Sequence, residues 1–236
     1  MKDILTAPWM VEMIRTATNM YDHGWDERNG GNISLMLDEA SVKEYLNTDH
    51  VLRVIPTGFK APELEGKYFL VTGTGKYFKN VLYAPDVNLG VVRIADGGEN
   101  AELLWGYSDG GKFTSEFPAH MMSHVARLSV DPENKVVMHC HPANLLAMTY
   151  VHTLDEREFT RTLWQMCTEC IVVFPDGVNV LPGCSAAPTR SARQPLRRCT
   201  PPVLSYGRST ASTAQARIST RPSVLSKPPR RPPRST

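Results

Sequence analysis

The sequence predicts a mixed α/β domain over residues 1–183, and three observations carry that reading. Apolar residues recur at helical spacing in some stretches, and alternate or run unbroken at strand length in others. Gly, Pro and Asp punctuate the junctions between them. The composition then breaks after Gly183: Cys184 to Thr236 hold ten Arg, one Lys, nine Pro and nine Ser but no Asp or Glu, a mixture unsuited to a packed core. Residues 184–236 are therefore expected to be a disordered tail, which leaves room for one domain of ordinary size before it.

Trp9, Met10, Met13, Ile14, Ala17, Met20 and Tyr21 mark an amphipathic first helix running towards Asp22. A loop from Asp26 to Asn32 leads into Ile33, Leu35 and Leu37, which alternate as a half-buried strand does. Further strands are predicted at Val51–Ile55, Tyr68–Thr72, Leu89–Ile94 and Leu103–Tyr107, then a helix over Glu116–Arg127. A buried strand at Val136–Cys140, a helix after Pro142 and a strand at Cys170–Phe174 complete the domain, with no internal repeat.

Charge separates the two parts. Residues 1–183 carry 15 Lys plus Arg against 24 Asp plus Glu, a net charge near −9, so the basic character of the whole chain comes from the tail. The domain shows no basic patch for nucleic acid. No stretch approaches the roughly 20 apolar residues of a membrane span, and Met1 to Thr6 have no basic segment followed by an apolar run, so a cytoplasmic protein is expected. Five cysteines, with Cys184 and Cys199 in the tail, give no disulfide framework, and reduced thiols are expected.

Several constellations bear chemistry, each with a plainer alternative. Period two on a strand puts His139 and His141 on one face with Cys140 turned the other way, either as a two-pronged metal grip or as two hydrogen-bonded histidines. Gly30-Gly31-Asn32 and Thr72-Gly73-Thr74-Gly75-Lys76 are each a backbone nest suited to phosphate or an ordinary turn. Thr114-Ser115-Glu116 either holds an anion at a helix start or caps the helix. Cys167 and Cys170 are read as buried thiols, with Glu169 between them the residue of interest, and His120 and His124 as packing or surface histidines.

Taken together and in order, Gly24-Trp25-Asp26-Glu27-Arg28-Asn29-Gly30-Gly31-Asn32, Thr72 to Lys76, Thr114-Ser115-Glu116, His139-Cys140-His141 and Thr168-Glu169-Cys170 resemble the class II aldolase family, and within it the members acting on rhamnulose 1-phosphate. Fuculose-phosphate aldolase and ribulose-phosphate epimerase, the alternatives, share the Gly-Asn, Ser-Glu and His-x-His pieces. The resemblance implies a class II aldolase-like fold with a central mixed, largely antiparallel sheet flanked by helices. It implies Zn2+ on His139 and His141, and reversible cleavage of L-rhamnulose 1-phosphate to dihydroxyacetone phosphate and L-lactaldehyde in rhamnose catabolism. Glu116 would exchange the proton next to the carbonyl, and Glu169 would handle the sugar hydroxyl. Asn29, Gly31, Asn32, Thr74, Gly75 and Ser115 would anchor the phosphate and adjacent oxygens. A homotetramer with its site near a subunit interface is also implied.

The sequence departs from that pattern in one respect: the family's third zinc histidine lies in a Leu-Trp-Pro-Phe-His-Gly segment, and no histidine follows His152. Ser205 to Ala211 can be written TCC TAT GGC CGT TCC ACG GCG, which from its third base reads CTA TGG CCG TTC CAC GGC, or Leu-Trp-Pro-Phe-His-Gly. The same shift turns Ala187–Ala192 and Lys227–Arg234 into family-like segments. The expectation is an aldolase domain, 1–183, whose frame is lost near Gly183 so that the C-terminal part of the fold is missing, and whose activity as written is doubtful. The competing reading is an inactive aldolase remnant with a basic tail that binds polyanions; against it, Tyr206 is the only aromatic among the tail's arginines.

Overall fold

Pro8 supplies a preset φ at the first turn of helix α1 (Pro8–Asp22), and Trp9, Met10, Met13, Ala17 and Met20 bury one face of it, as the periodicity predicts. In the computed structural model residues 1–181 are described, together with the backbone of two tail strands, 204–208 and 214–218. After α1 come β1 (Asn32–Leu37), α2 (Glu39–Lys43), β2 (Arg53–Pro56), β3 (Tyr68–Thr72), α3 (Pro85–Asn88), β4 (Leu89–Ala95) and β5 (Asn100–Gly106). Helix α4 (Phe117–Leu128) and β6 (Val136–Cys140) follow, then α5 (Ala143–Val151), α6 (Glu156–Met166), α7 (Thr168–Val173), β7 (Asn179–Leu181), β8 (Leu204–Arg208) and β9 (Ala214–Ile218).

These strands form one mixed sheet in the order β2-β5-β4-β3-β1-β6-β9-β8-β7, antiparallel at every pairing but β7 with β8. The pleat sorts each strand between two cores. Ile33, Leu37, Leu70, Val91 and Cys140 pack with α1 on one face. Phe69, Val71, Val92, Ile94 and Leu103 pack with Phe117 and Met121 of α4 on the other. Strand β1 lies between β3 and β6, with Asn32 opposite His139 and Ser34 opposite both Val71 and Val137.

Several elements differ from the sequence reading: α2, α3 and β7 were not read from it, and β8 and β9 fall in the tail for which disorder was expected. Tyr107 has left β5 at φ 47° to donate its hydroxyl proton to the Val71 carbonyl, 2.8 Å away. Helix α6 was not read from the sequence; Asp155 caps it by accepting from the N–H groups of Arg157 and Glu158, both at 3.0 Å. Cys170–Phe174, predicted as a strand, lies mostly in α7, which buries no residue. A helix pairs its own N–H and C=O groups, whereas a strand needs a neighbouring edge. Val172 and Val173 are consequently left exposed, at 76% and 61%, and Val151 at the end of α5 is exposed too, at 87%.

Cys140, Cys167 and Cys170 are free thiols. Cys140 is buried, but Cys167 is exposed and Cys170 half-buried, so the buried-thiol reading of that pair is corrected: α7 lies on the surface and, among the described residues, leaves Cys167 uncovered. Cys184 and Cys199 lie outside the described residues, as do the remaining tail residues for which disorder was expected. Among the described residues no helix is long and apolar enough to cross a membrane.

Candidate active site

The C-terminal ends of β3 and β6 meet the N-terminal end of β1 at one edge of the sheet, because β1 runs antiparallel to both. The N-terminus of α4 reaches the same edge: Thr114 N–H donates to Thr72 O at 2.9 Å, and Gly73 bridges to Phe113. Thr72 Oγ1 accepts from Ile33 N–H at 2.9 Å, which ties in the start of β1. Three loops separated in sequence by some 40 residues each, 29–32, 72–75 and 114–116, are brought together.

The first and third of these loops reach the histidines, through Asn32 and Glu116. Alternation along β6 turns Cys140 into the α1 core, where burial pushes its thiol up to about 12, and turns His139 to the α4 face. His141, just past the strand, returns to that side, and the two Nε2 atoms stand 3.0 Å apart. Both rings are buried, at 1% and 5%. Each Nδ1 has a carboxylate beside it: Glu116 Oε2 lies 2.5 Å from that of His139, and Glu27 Oε1 lies 2.7 Å from that of His141. The side-chain amide of Asn32 stands 3.2 Å from His139 Nδ1. A carboxylate that accepts the Nδ1–H hydrogen bond keeps the proton on Nδ1 and leaves a lone pair on Nε2, so this arrangement aims two lone pairs at one point.

That donor chemistry fits part of a zinc site. Two nitrogens of one tetrahedral zinc centre stand about 3.3 Å apart, close to the separation found here. Among the described residues no group of three or more His, Cys, Asp and Glu side chains is placed to hold a metal ion, so the pair is one ligand short of an ordinary catalytic site. Glu116 stands at Nδ1, the far side of the His139 ring from Nε2, and is not a third ligand in this geometry.

Glu116 occupies the N-cap position before α4, but its side chain makes no cap hydrogen bond; it is 7% exposed and goes to His139. Ser115 and Asn29 are exposed, Asn32 and Gly31 buried, and Thr74 half-buried with its N–H donating to Lys112 O at 2.8 Å. Gly75 lines a surface cavity of about 330 Å3 together with Lys76, whose ammonium is paired with Asp109. Glu169 lies exposed on α7, accepting from Cys167 Sγ at 2.9 Å, and among the described residues no hydrogen bond joins it to Glu116 or the histidines.

The two adjacent glycines have packing reasons. A Cβ on Gly30 would lie 2.7 Å from His141 Nδ1, and one on Gly31 would lie 2.9 Å from both Asp26 Cβ and the Phe78 ring. Sequence reasoning missed Glu27 as a contact of His141. It also missed the buried set in which Ser34 Oγ stands 2.8 Å from both His120 Nδ1 and His124 Nε2. A polar residue at Asn32 and again at Ser34, between Ile33 and Leu35, was the available signal that the second face of β1 meets buried polar groups.

Over residues 11–192 the chain matches the class II aldolase and adducin N-terminal domain. The chain belongs to that family. The class II aldolase fold so identified is the one implied by the sequence motifs. Among curated relatives of this class II aldolase chain, rhamnulose-1-phosphate aldolase of Listeria monocytogenes serotype 4a (strain HCC23) is 64% identical over 181 residues, 77% of this chain and 66% of the relative. The protein of the same name from Escherichia coli O139:H28 (strain E24377A / ETEC) is 46% identical over 75% of this chain and 66% of its own length. The chain thus spans just under two thirds of these relatives. A sugar-phosphate aldolase from Thermotoga maritima superposes with a TM-score of 0.68 at 26% identity, covering 89% of this chain and 84% of that one.

Asp26, beside the site, is 3% exposed, and burial pushes its carboxyl up to about 6 against the pull of the Phe78 backbone. An acid raised in the folded state binds its proton more tightly there, so stability falls as pH rises from about 4 through about 6. Asp26→Asn is expected to stabilise the protein at neutral pH by about 1–2 kcal/mol and to change little near pH 4, read from urea midpoints. His124, lowered to about 3 by burial, has the opposite slope: the unfolded imidazole takes a proton below its ordinary value and the buried one does not. That contribution is common to both proteins and cancels in their difference.

Proposed function

We propose that this domain is the N-terminal part of a zinc-dependent, cytoplasmic aldolase that cleaves L-rhamnulose 1-phosphate reversibly to dihydroxyacetone phosphate and L-lactaldehyde. The observation that carries the reading is the histidine pair with a carboxylate behind each ring, set among three loops that carry hydroxyl and amide groups. The relatives' names and the segment Trp25 to Asn29 favour rhamnulose 1-phosphate over the fuculose-phosphate alternative. Zinc held by His139 and His141 would supply Lewis-acid stabilisation of the charge that develops on the ketose oxygens.

The chain's own residues do the rest. Glu116, buried and next to the pair, exchanges the proton at the carbon adjacent to the carbonyl, where its carboxylate is shielded from water. Ser115 and Thr74 hydroxyls, the Asn29 and Asn32 amides and the backbone at Gly31 and Gly75 hold the phosphate and neighbouring oxygens, helped by the N-terminus of α4. Glu169 takes the proton from the sugar hydroxyl whose carbon becomes the aldehyde. Exposed apolar side chains on α5 and α7 support assembly of the homotetramer.

Residues 184–236 are proposed to be out of frame, which would account for the absent third histidine. The test is zinc content and cleavage of rhamnulose 1-phosphate, measured on the chain as written beside a chain with the frame restored after Gly183. Near-stoichiometric zinc and turnover only in the restored chain are expected. Equal activity in both would mean that the domain alone completes the site, and no cleavage by either would overturn the substrate assignment.

A further inference from the structure

We infer that Glu27 is a positioning residue: its carboxylate holds His141 as the tautomer protonated on Nδ1 and thereby turns the lone pair of Nε2 towards His139. The inference rests on the aldolase reading of the histidine pair as a metal half-site. Glu27 sits on the surface, with 58% of its side chain exposed, whereas the ring it touches is 5% exposed. A solvated glutamate gains little from an ordinary surface ion pair and gives up rotamer freedom to make one. Here the surrounding loop reduces that cost. The Trp25 carbonyl accepts the His141 N–H at 2.6 Å, and the Gly30 N–H donates to the Glu27 carbonyl at 3.0 Å. Glu27 is thus anchored between two residues that adjoin His141, Trp25 through its carbonyl and Gly30 by leaving room for the ring.

The consequence bears on which of two chemistries the pair has. Nitrogens 3.0 Å apart are also at hydrogen-bonding distance, and His141 protonated on Nε2 would simply donate to His139. Such a pair is closed to a metal. With the proton drawn to Nδ1 by Glu27, as the proton of His139 is drawn by Glu116, neither Nε2 has a hydrogen to donate and the point between them suits a cation. Glu27 therefore selects the open form of the pair.

Two measurements on the full chain test this, comparing it with Glu27→Ala and Glu27→Gln; the exposed side chain lets both variants fold, which circular dichroism checks. Long-range 1H–15N correlation spectra of the metal-free proteins in mildly alkaline buffer report the protonated ring nitrogen. His141 is expected on Nδ1 in the unaltered chain and in Glu27→Gln, whose amide oxygen still accepts, and on Nε2 in Glu27→Ala. Cobalt(II) titration of the frame-restored protein is expected to show about 10–100-fold weaker binding with Glu27→Ala, largely restored with Glu27→Gln. A proton on Nε2 of His141 in the unaltered chain, an unchanged tautomer in Glu27→Ala, or equal cobalt affinity of the frame-restored protein with and without Glu27 would each overturn the inference. Cobalt binding and tautomers as expected, with no cleavage of rhamnulose 1-phosphate by the frame-restored protein, would leave Glu27 in its role and remove only the substrate.

Discussion

In the frame-restored protein Glu116→Gln is expected to slow proton exchange at the carbon next to the carbonyl by about 10²–10⁴-fold, the usual contribution of a positioned general acid or base. The clean readout is deuterium wash-in from heavy water into dihydroxyacetone phosphate, since it follows the proton step without requiring the carbon–carbon bond to break. Glutamine keeps the shape and an oxygen that accepts from His139 Nδ1, 2.5 Å away in the parent protein, so the imidazole stays in place while the proton acceptor is lost. Metal content should therefore match that of the parent. Wash-in at the parental rate would remove Glu116 from the chemistry and leave it only as a support for His139.

Gly30→Ala is expected to have the largest effect of any single methyl group near the site. Its Cβ would stand 2.7 Å from His141 Nδ1, 2.9 Å from Cε1 and 3.1 Å from the Glu27 carbonyl, so either the ring or the loop must give. The ring is walled in, and its displacement separates the imidazoles: cobalt affinity should drop at least about tenfold, and stability by about 1–3 kcal/mol. The adjacent Gly31→Ala provides contrast, because its methyl falls on Asp26 and Phe78 and should cost stability without parting the histidines. Equal metal binding by Gly30→Ala and the parent would show that the loop, not the ring, had moved.

Much of this was legible where one residue pattern sufficed. Tyr68–Thr72 and Val136–Cys140 were delimited as observed because each is a short, mostly apolar run, and β6 alternation alone placed His139 opposite to Cys140. Strand β5 begins earlier than read because Asn100 and Glu102 are polar and half-buried and hide the alternation. The run Ile171-Val172-Val173 has the side chains of a strand, yet local hydrogen bonding decides its state. Groups that meet across elements left the faintest trace. That Ser34 stands between His120 and His124 follows only from α4 lying on β1, and that Glu27 reaches His141 follows only from the course of the loop.

The facing of Asn32 on His139 has a further meaning. Side chains on a strand change sides with every residue, so the identity of the site is a matter of parity. Were β6 to slip by one position against β1, both imidazoles would enter the methionine-lined core beneath α1 and a thiol would face Glu116. Adding or deleting a single residue between Lys135 and His139 would thus exchange the donor set wholesale, nitrogen for sulfur, without altering any side chain of the motif. Drift at this site is discrete: residue substitutions can tune it by degrees, but a change of length would replace one coordination chemistry with another.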